Sequence, residues 1–182
     1  LNAHGVRAVL VGTGQTSLIQ GARYGAALDA VPAQFVTGEL EAAVVEACNT
    51  ESPDVIIVEG QGALSHPTYL SSTAVLRGSR PAAVILQHAP ARTTISDYPA
   101  FAMPTPASEI TLIETFADTK VIGLTINHEQ MSDVEVTASI AMYELELGIP
   151  ATDALTRSTD ELLAMVFAAF PDLEEAVPVA AT

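Results

Sequence analysis

One stretch of this chain joins a carboxylate, an amide and an imidazole to a short apolar run. It reads Val55-Ile56-Ile57-Val58-Glu59-Gly60-Gln61-Gly62, continued by Ala63-Leu64-Ser65-His66-Pro67. Four consecutive β-branched residues predict a short strand buried on both faces, the usual state of a parallel strand in an α/β sheet. Ligands of open α/β folds sit outside the carboxyl ends of such strands, which is where Glu59 falls. A carboxylate there can act as a general base or hold a cation, or it can be a plain strand-end acid. Gly60 and Gly62 leave room for a backbone or a ligand to come close. Gln61 offers an amide donor and acceptor, and His66 precedes a proline that holds its backbone extended.

Two other strand ends carry polar groups. Val6 to Val11 reads as a strand, followed by Gly12-Thr13-Gly14-Gln15-Thr16-Ser17. A dinucleotide fingerprint fails here, because Ser17 stands at its third glycine position. Gln15, Thr16 and Ser17 are then polar contacts at a strand end, or parts of a tight turn. A third strand, Ala82 to Gln87, ends in His88-Ala89-Pro90-Ala91-Arg92. His88 and Arg92 make a candidate anion clamp, since guanidinium presents a planar fork, and His88 would lie beside Glu59 if those strands are neighbours. His128 and His4 read as surface residues. Cys48, the lone cysteine, sits among Val44, Val45 and Ala47 and reads as a buried structural thiol. The histidines and the cysteine show no zinc spacing, and no G-x-S-x-G elbow or G-x-x-x-x-G-K-[ST] phosphate loop occurs.

The elements that must position these groups alternate. A helix is expected over Gly38–Ala47, then a polar turn over Asn49–Asp54. His66–Ser79 reads as a loop with a helical turn or two, and the Pro-rich Tyr98–Pro106 as a connector. Ser108–Asp118 has helical spacing, with Ile110, Ile113 and Phe116 inward. Val121–Ile126 reads as a fourth strand. Ser132 caps a helix to Leu147 with Glu135 completing a capping box, and Gly148 stops it. Ser158 with Glu161 repeats the signature for a last helix. Strands alternating with helices predict an α/β fold with a mostly parallel sheet flanked by helices, in one domain over residues 1–170. An acidic, frayed tail is expected over 171–182.

Composition narrows the function classes. Seven Lys+Arg stand against 22 Asp+Glu, a formal charge of −15, and Lys120 is the sole lysine. No basic patch of useful size can be assembled, which argues against nucleic acid and anionic membrane surfaces as partners. The acid excess reads as a solvated surface, of the kind a saline habitat also favours. No apolar run reaches membrane-spanning length, no signal peptide is visible, and one cysteine allows no internal disulfide, so a cytoplasmic location is expected.

The Val-Glu-Gly-x-Gly strand end resembles the one that dethiobiotin-synthetase-like P-loop proteins place beside their phosphate site. By that resemblance the chain is a P-loop-type three-layer α/β domain lacking its first strand, phosphate loop and first helix. A closer resemblance is carried by three blocks: Val11-Gly12-Thr13-Gly14-Gln15-Thr16 with Ala30-Val31-Pro32-Ala33-Gln34-Phe35-Val36, then Val58 to Pro67, then His88-Ala89-Pro90-Ala91-Arg92-Thr93. These resemble a bacterial and archaeal family long classed as of unknown function and now associated with N-acetylation of D-amino acids, D-glutamate especially. The resemblance runs from residue 1 to about 165 and covers most of that family's C-terminal P-loop-type domain.

It implies acetyl-CoA as co-substrate, a small-molecule amino-acid substrate, an N-terminal segment or domain as partner, and a homo-oligomer. It further implies Glu59 or His66 as acceptor of the amine proton. Gln15, Thr16 and Gln61, with the N–H groups near Gly60 and Gly62, would bind an oxyanion or substrate carboxylate. Arg92 with His88 would bind a carboxylate or a CoA phosphate. The alternatives are an ATP- and Mg²⁺-dependent ligase or kinase of the dethiobiotin-synthetase type, with Glu59 on the metal, and a non-catalytic binding domain completed by another segment.

Overall fold

The computed structural model describes residues 1–175. The chain divides into two compact units, Leu1–Pro81 with the described end from Asp172, and Ala82–Pro171. In the first unit the order is β1 (Ala8–Gly12), α1 (Gln15–Ile19), β2 (Tyr24–Gly25), α2 (Val36–Glu51), β3 (Val55–Val58) and α3 (Ser71–Ser79). The second unit holds β4 (Ala83–His88), β5 (Thr94–Ile95), β6 (Tyr98–Ala102), α4 (Pro106–Phe116), β7 (Lys120–Ile126), α5 (Asp133–Leu147), β8 (Ala151–Thr152) and α6 (Thr159–Ala169). A short helix, α7 (Pro171–Glu175), closes the described chain.

The fold is α/β with parallel ladders. The first sheet has the order β2-β1-β3, and Ala8 to Val11 pair in register with Val55 to Val58. This register brings the carboxyl ends of β1 and β3 side by side, so the loop after Gly12 meets Glu59. Helix α2 covers the sheet with a stripe at i, i+4, i+7 and i+11: Val36, Leu40, Ala43 and Ala47 are all buried. They pack with Val11, Leu28 and Ala74. The β1 end depends on glycine. A Cβ on Gly25, whose φ is +143°, would lie 2.1 Å from the carbonyl oxygen of Gly12, and one on Gly12 would lie 2.4 Å from Ser17 Oγ.

The second sheet has the order β4-β7-β8, again parallel. Registers His88↔Ile126 and Thr125↔Thr152 align the carboxyl ends of all three strands. Its core is Leu124, Ile126, Tyr143 and Ala151. Among the described residues no helix is long and apolar enough to cross a membrane.

Several expectations need correction. β3 has the expected bounds but is not buried on both faces: Ile57 is 45% exposed. It is an edge strand of its three-stranded sheet, with β1 as its paired neighbour. His88 pairs through β4 with β7, in a different unit from Glu59. Cys48 is exposed, because it falls one position round from the Ala47 stripe. The turn expected from Asn49 starts late, since α2 runs to Glu51 and ends at Ser52 with φ 45°.

The Pro-rich connector is instead partly the antiparallel hairpin β5–β6, in which Pro99 stands outside the paired positions Thr94↔Ala102 and Ile95↔Tyr98. In α4, Ile113 is buried but Phe116 is exposed, while Glu109 is buried in its place. Part of the expected frayed tail forms α7, a helix started by Pro171 with Asp172 and Glu174 in its first turn. Residues 176–182, the rest of that tail, lie outside the described residues.

Candidate functional site

Glu59 is the centre of a closely bonded loop. Its backbone N–H donates to the Val11 carbonyl at 3.0 Å, which continues the β1–β3 pairing one step beyond the strands. Its Oε2 then accepts from Thr13 N at 2.7 Å, Ser17 Oγ at 2.7 Å, Gly14 N at 3.1 Å and Thr13 Oγ1 at 3.4 Å. Burial alone would raise the carboxyl pKa. The donors from Ser17, Thr13 and Gly14 outweigh it and hold the group below its ordinary value, so Glu59 is a carboxylate at neutral pH.

Thr13 is fully buried and Ser17 nearly so, and the Thr13 hydroxyl receives the Gln61 amide at 2.6 Å. Gln61 is therefore fixed against the same loop. Gln15 and Thr16, the residues of this loop expected to touch a ligand, are exposed in the first turn of α1. The Glu59 carboxylate meets Thr13, Gly14 and Ser17. Polar type marked this loop in the sequence, but only the turn geometry decides which of its residues face inward.

Gly60 and Gly62 have ordinary backbone angles, and a Cβ on Gly60 would meet nothing within 4 Å. On Gly62 it would touch only Tyr69 Cδ2, at 3.8 Å. Neither the turn nor internal packing requires glycine at these two positions. His66 stacks on Tyr69 with ring centroids 4.2 Å apart. Its Nδ1 accepts from Tyr69 N at 3.2 Å and Thr68 N at 3.3 Å. Backbone N–H groups can only donate, so in the neutral ring the proton sits on Nε2. That tautomer makes His66 a donor through Nε2.

The carboxyl edge of the second sheet carries a separate set of groups. Arg92 is engaged with Glu129, its Nε 2.8 Å from Oε2 and a second guanidinium nitrogen on the same oxygen. His88 meets the ring of Tyr143 edge to face at 5.6 Å, and burial pushes its imidazole below the ordinary histidine value. His88 and Arg92 thus have different partners. His128, expected at the surface, is half-buried, and its Nδ1 lies 2.6 Å from Oδ2 of Asp153.

Asp153 is 1% exposed and also accepts from Thr156 Oγ1 at 2.6 Å and Leu155 N at 2.9 Å. Burial would raise its carboxyl, but the hydroxyl of Thr156, the Leu155 N–H and His128 together hold it below the ordinary range. The sequence reading missed this pair because β8 has only two residues. Asp153 lies 25 residues from His128, and the Leu155 N–H donates to it in an Asx-type turn.

Comparison with known proteins covers most of the chain, both units included. A P-loop domain of unknown function, the DUF1611 C-terminal domain, matches residues 1–163. A D-glutamate N-acetyltransferase of Tritonibacter scottomollicae is 30% identical over 170 residues, 90% of this chain and 50% of that protein. Another of the same name from a Pseudoalteromonas species is 31% identical over 84% of this chain and 46% of its own length. The crystal structure of a DUF1611 family protein from Anabaena variabilis superposes with a TM-score of 0.85 at 30% identity, over 92% of this chain and 50% of that one. The chain spans about half the length of the curated relatives it matches. With the family model covering most of its length, the chain belongs to the DUF1611 family and corresponds to its C-terminal P-loop domain.

Proposed function

We propose that the protein is an N-acetyltransferase that uses acetyl-CoA to acylate a D-amino acid such as D-glutamate. The observation that carries this reading is the likeness to two relatives named D-glutamate N-acetyltransferase along most of the chain. The geometry of the Glu59 edge supports it. Acyl transfer to an amine needs a recognised ammonium or amine, a donor for the thioester oxyanion, and space for the donor molecule. Glu59 is ionised, and all four of its described side-chain hydrogen bonds fall on Oε2, so its negative charge is a natural partner for an amino group. Gly60 and Gly62 leave space that the chain itself does not fill, with their N–H groups as candidate donors to the cofactor.

Gln61, Gln15 and Thr16 are the polar contacts proposed for substrate at this edge, and His66 is proposed as a catalytic donor through Nε2–H to the oxyanion. Arg92 and His88 are proposed for carboxylate or phosphate recognition, Arg92 by exchanging Glu129 for the ligand. Titration calorimetry of the full-length protein, with acetyl-CoA and with Mg-ATP, tests the reading. Heat on acetyl-CoA, followed by thiol release when D-glutamate is added, is the expected result. Binding of Mg-ATP alone would replace it with the ligase or kinase reading.

A further inference from the structure

Glycines at the carboxyl end of β1 answer to different causes. At Gly12 and Gly25 the chain itself fills the place of a side chain, since a Cβ would lie 2.4 Å and 2.1 Å from its nearest neighbour. Gly14 has no such cause. Its φ of −128° and ψ of 165° are extended angles that any residue adopts. A Cβ there would make ordinary contacts, the nearest being Gln61 Nε2 and Glu59 Oε2, both at 3.7 Å, and Glu59 Oε1 at 3.9 Å. Neither backbone strain nor crowding accounts for the glycine. What its missing side chain faces is a carboxylate and an amide.

The hydrogen bonds fix what those two groups have left to offer. Every described bond to the Glu59 side chain falls on Oε2, so Oε1 remains a charged acceptor. The Thr13 hydroxyl lies 3.2 Å from the Glu59 carbonyl oxygen and 3.4 Å from Oε2, which both accept, so its proton points to Glu59. Its lone pair then takes an N–H of Gln61 at 2.6 Å, which sets the amide with its nitrogen toward the loop. An amide nitrogen carries two N–H groups, and the second is left to give. A charged acceptor and a neutral donor thus lie within 4 Å of one point. Gly14, Glu59 and Gln61 are each half-buried, and all three belong to the first unit.

We propose that Gly14 is a specificity-determining residue, whose missing side chain seats the head group of an α-amino acid. Such a molecule carries a donor-only ammonium and an acceptor-only carboxylate on one carbon. The ammonium donates to Oε1 of Glu59, and the α-carboxylate accepts from the second N–H of Gln61. The proposal rests on the transferase reading above and deepens it. Glu59 alone would take any amine, whereas the pair selects an amine with a carboxylate on the same carbon. Any side chain at position 14 would occupy that seat.

The test compares full-length wild type with G14A by thiol release from acetyl-CoA in the presence of D-glutamate. Alanine keeps the N–H at position 14, and with it the 3.1 Å bond to Oε2. Its methyl makes only ordinary contacts, so the melting temperature should stay close to that of wild type. The expected result is a KM for D-glutamate raised about 10- to 100-fold, the worth of a lost hydrogen bond to a charged group, with the KM for acetyl-CoA little changed. If G14A does not fold, G14S carries the test, since serine suits the start of a helix. On wild type, γ-aminobutyrate, which is glutamate without its α-carboxylate, should show a similarly raised KM; a KM equal to that of D-glutamate overturns the two-point seat. A wild type that transfers no acetyl group overturns the transferase reading, and this proposal with it. An active wild type beside a folded G14A with the same KM for D-glutamate, or with both KM values raised alike, overturns the proposal alone.

Discussion

Glu59 spends one carboxylate oxygen on its own chain. Four donors converge on Oε2, so an amide in its place keeps an acceptor for Thr13 and Ser17 but loses the charge. E59Q should therefore fold, and should lower kcat/KM for the amino-acid substrate by about 10- to 100-fold, the worth of a hydrogen bond to a charged group at roughly 1.5–3 kcal/mol. Steady-state kinetics on the folded variant checks this, and an unchanged kcat/KM would remove Glu59 from substrate recognition. At this scale the sequence marked the strand end and its carboxylate, but not the groups that bond to it. Glu59 is legible because a strand end, a carboxylate and two glycines coincide. Thr13 and Ser17 are not, because their inward direction comes from the turn that follows β1. His128 was read as a surface residue because its partner lies 25 residues away in sequence, beyond a helix.

Helix ends were the most legible elements, since capping is local. Ser132 accepts from Glu135 N, and the Glu135 carboxylate reaches back to Ser132 N at 2.7 Å, as the capping box requires. Replacing Ser132 with alanine should cost about 1 kcal/mol, which lowers the melting temperature by roughly 2–4 °C. Thermal denaturation followed by circular dichroism checks it, and an unchanged midpoint would mean the box contributes nothing. The Ser158 end shows where local reading stops. Ser158 does accept from Asp160 N, but Glu161 bonds to the Thr152 hydroxyl instead of reaching back. A tertiary partner outcompetes the cap. Burial of strands was less legible for the same reason: Val55–Val58 has the composition of a central strand, yet its place at a sheet edge is decided by chain order and not by its own residues.

Across the whole chain a formal charge of −15 is carried with few internal cations to offset it. Self-repulsion of that size works against compactness and is screened by salt. The melting temperature should rise by several degrees between low and near-molar sodium chloride, measured by differential scanning calorimetry; a flat or falling trend would show that the acidic groups are already well solvated and paired. The α/β class and the alternation of elements were legible from periodicity, whereas the division into two units was not, because it depends on which strands pair.

The first unit also illustrates how such an acidic molecule can choose among ligands. The backbone N–H groups of the β1–α1 loop are the sort that, in other folds, welcome a phosphate. Here Glu59 has already taken that seat. At the Thr13 and Gly14 N–H groups an arriving anion meets a carboxylate already in place, and a cationic group meets the same carboxylate held ready. On the proposed reading, the loop would sort small molecules by charge and favour a positively charged end.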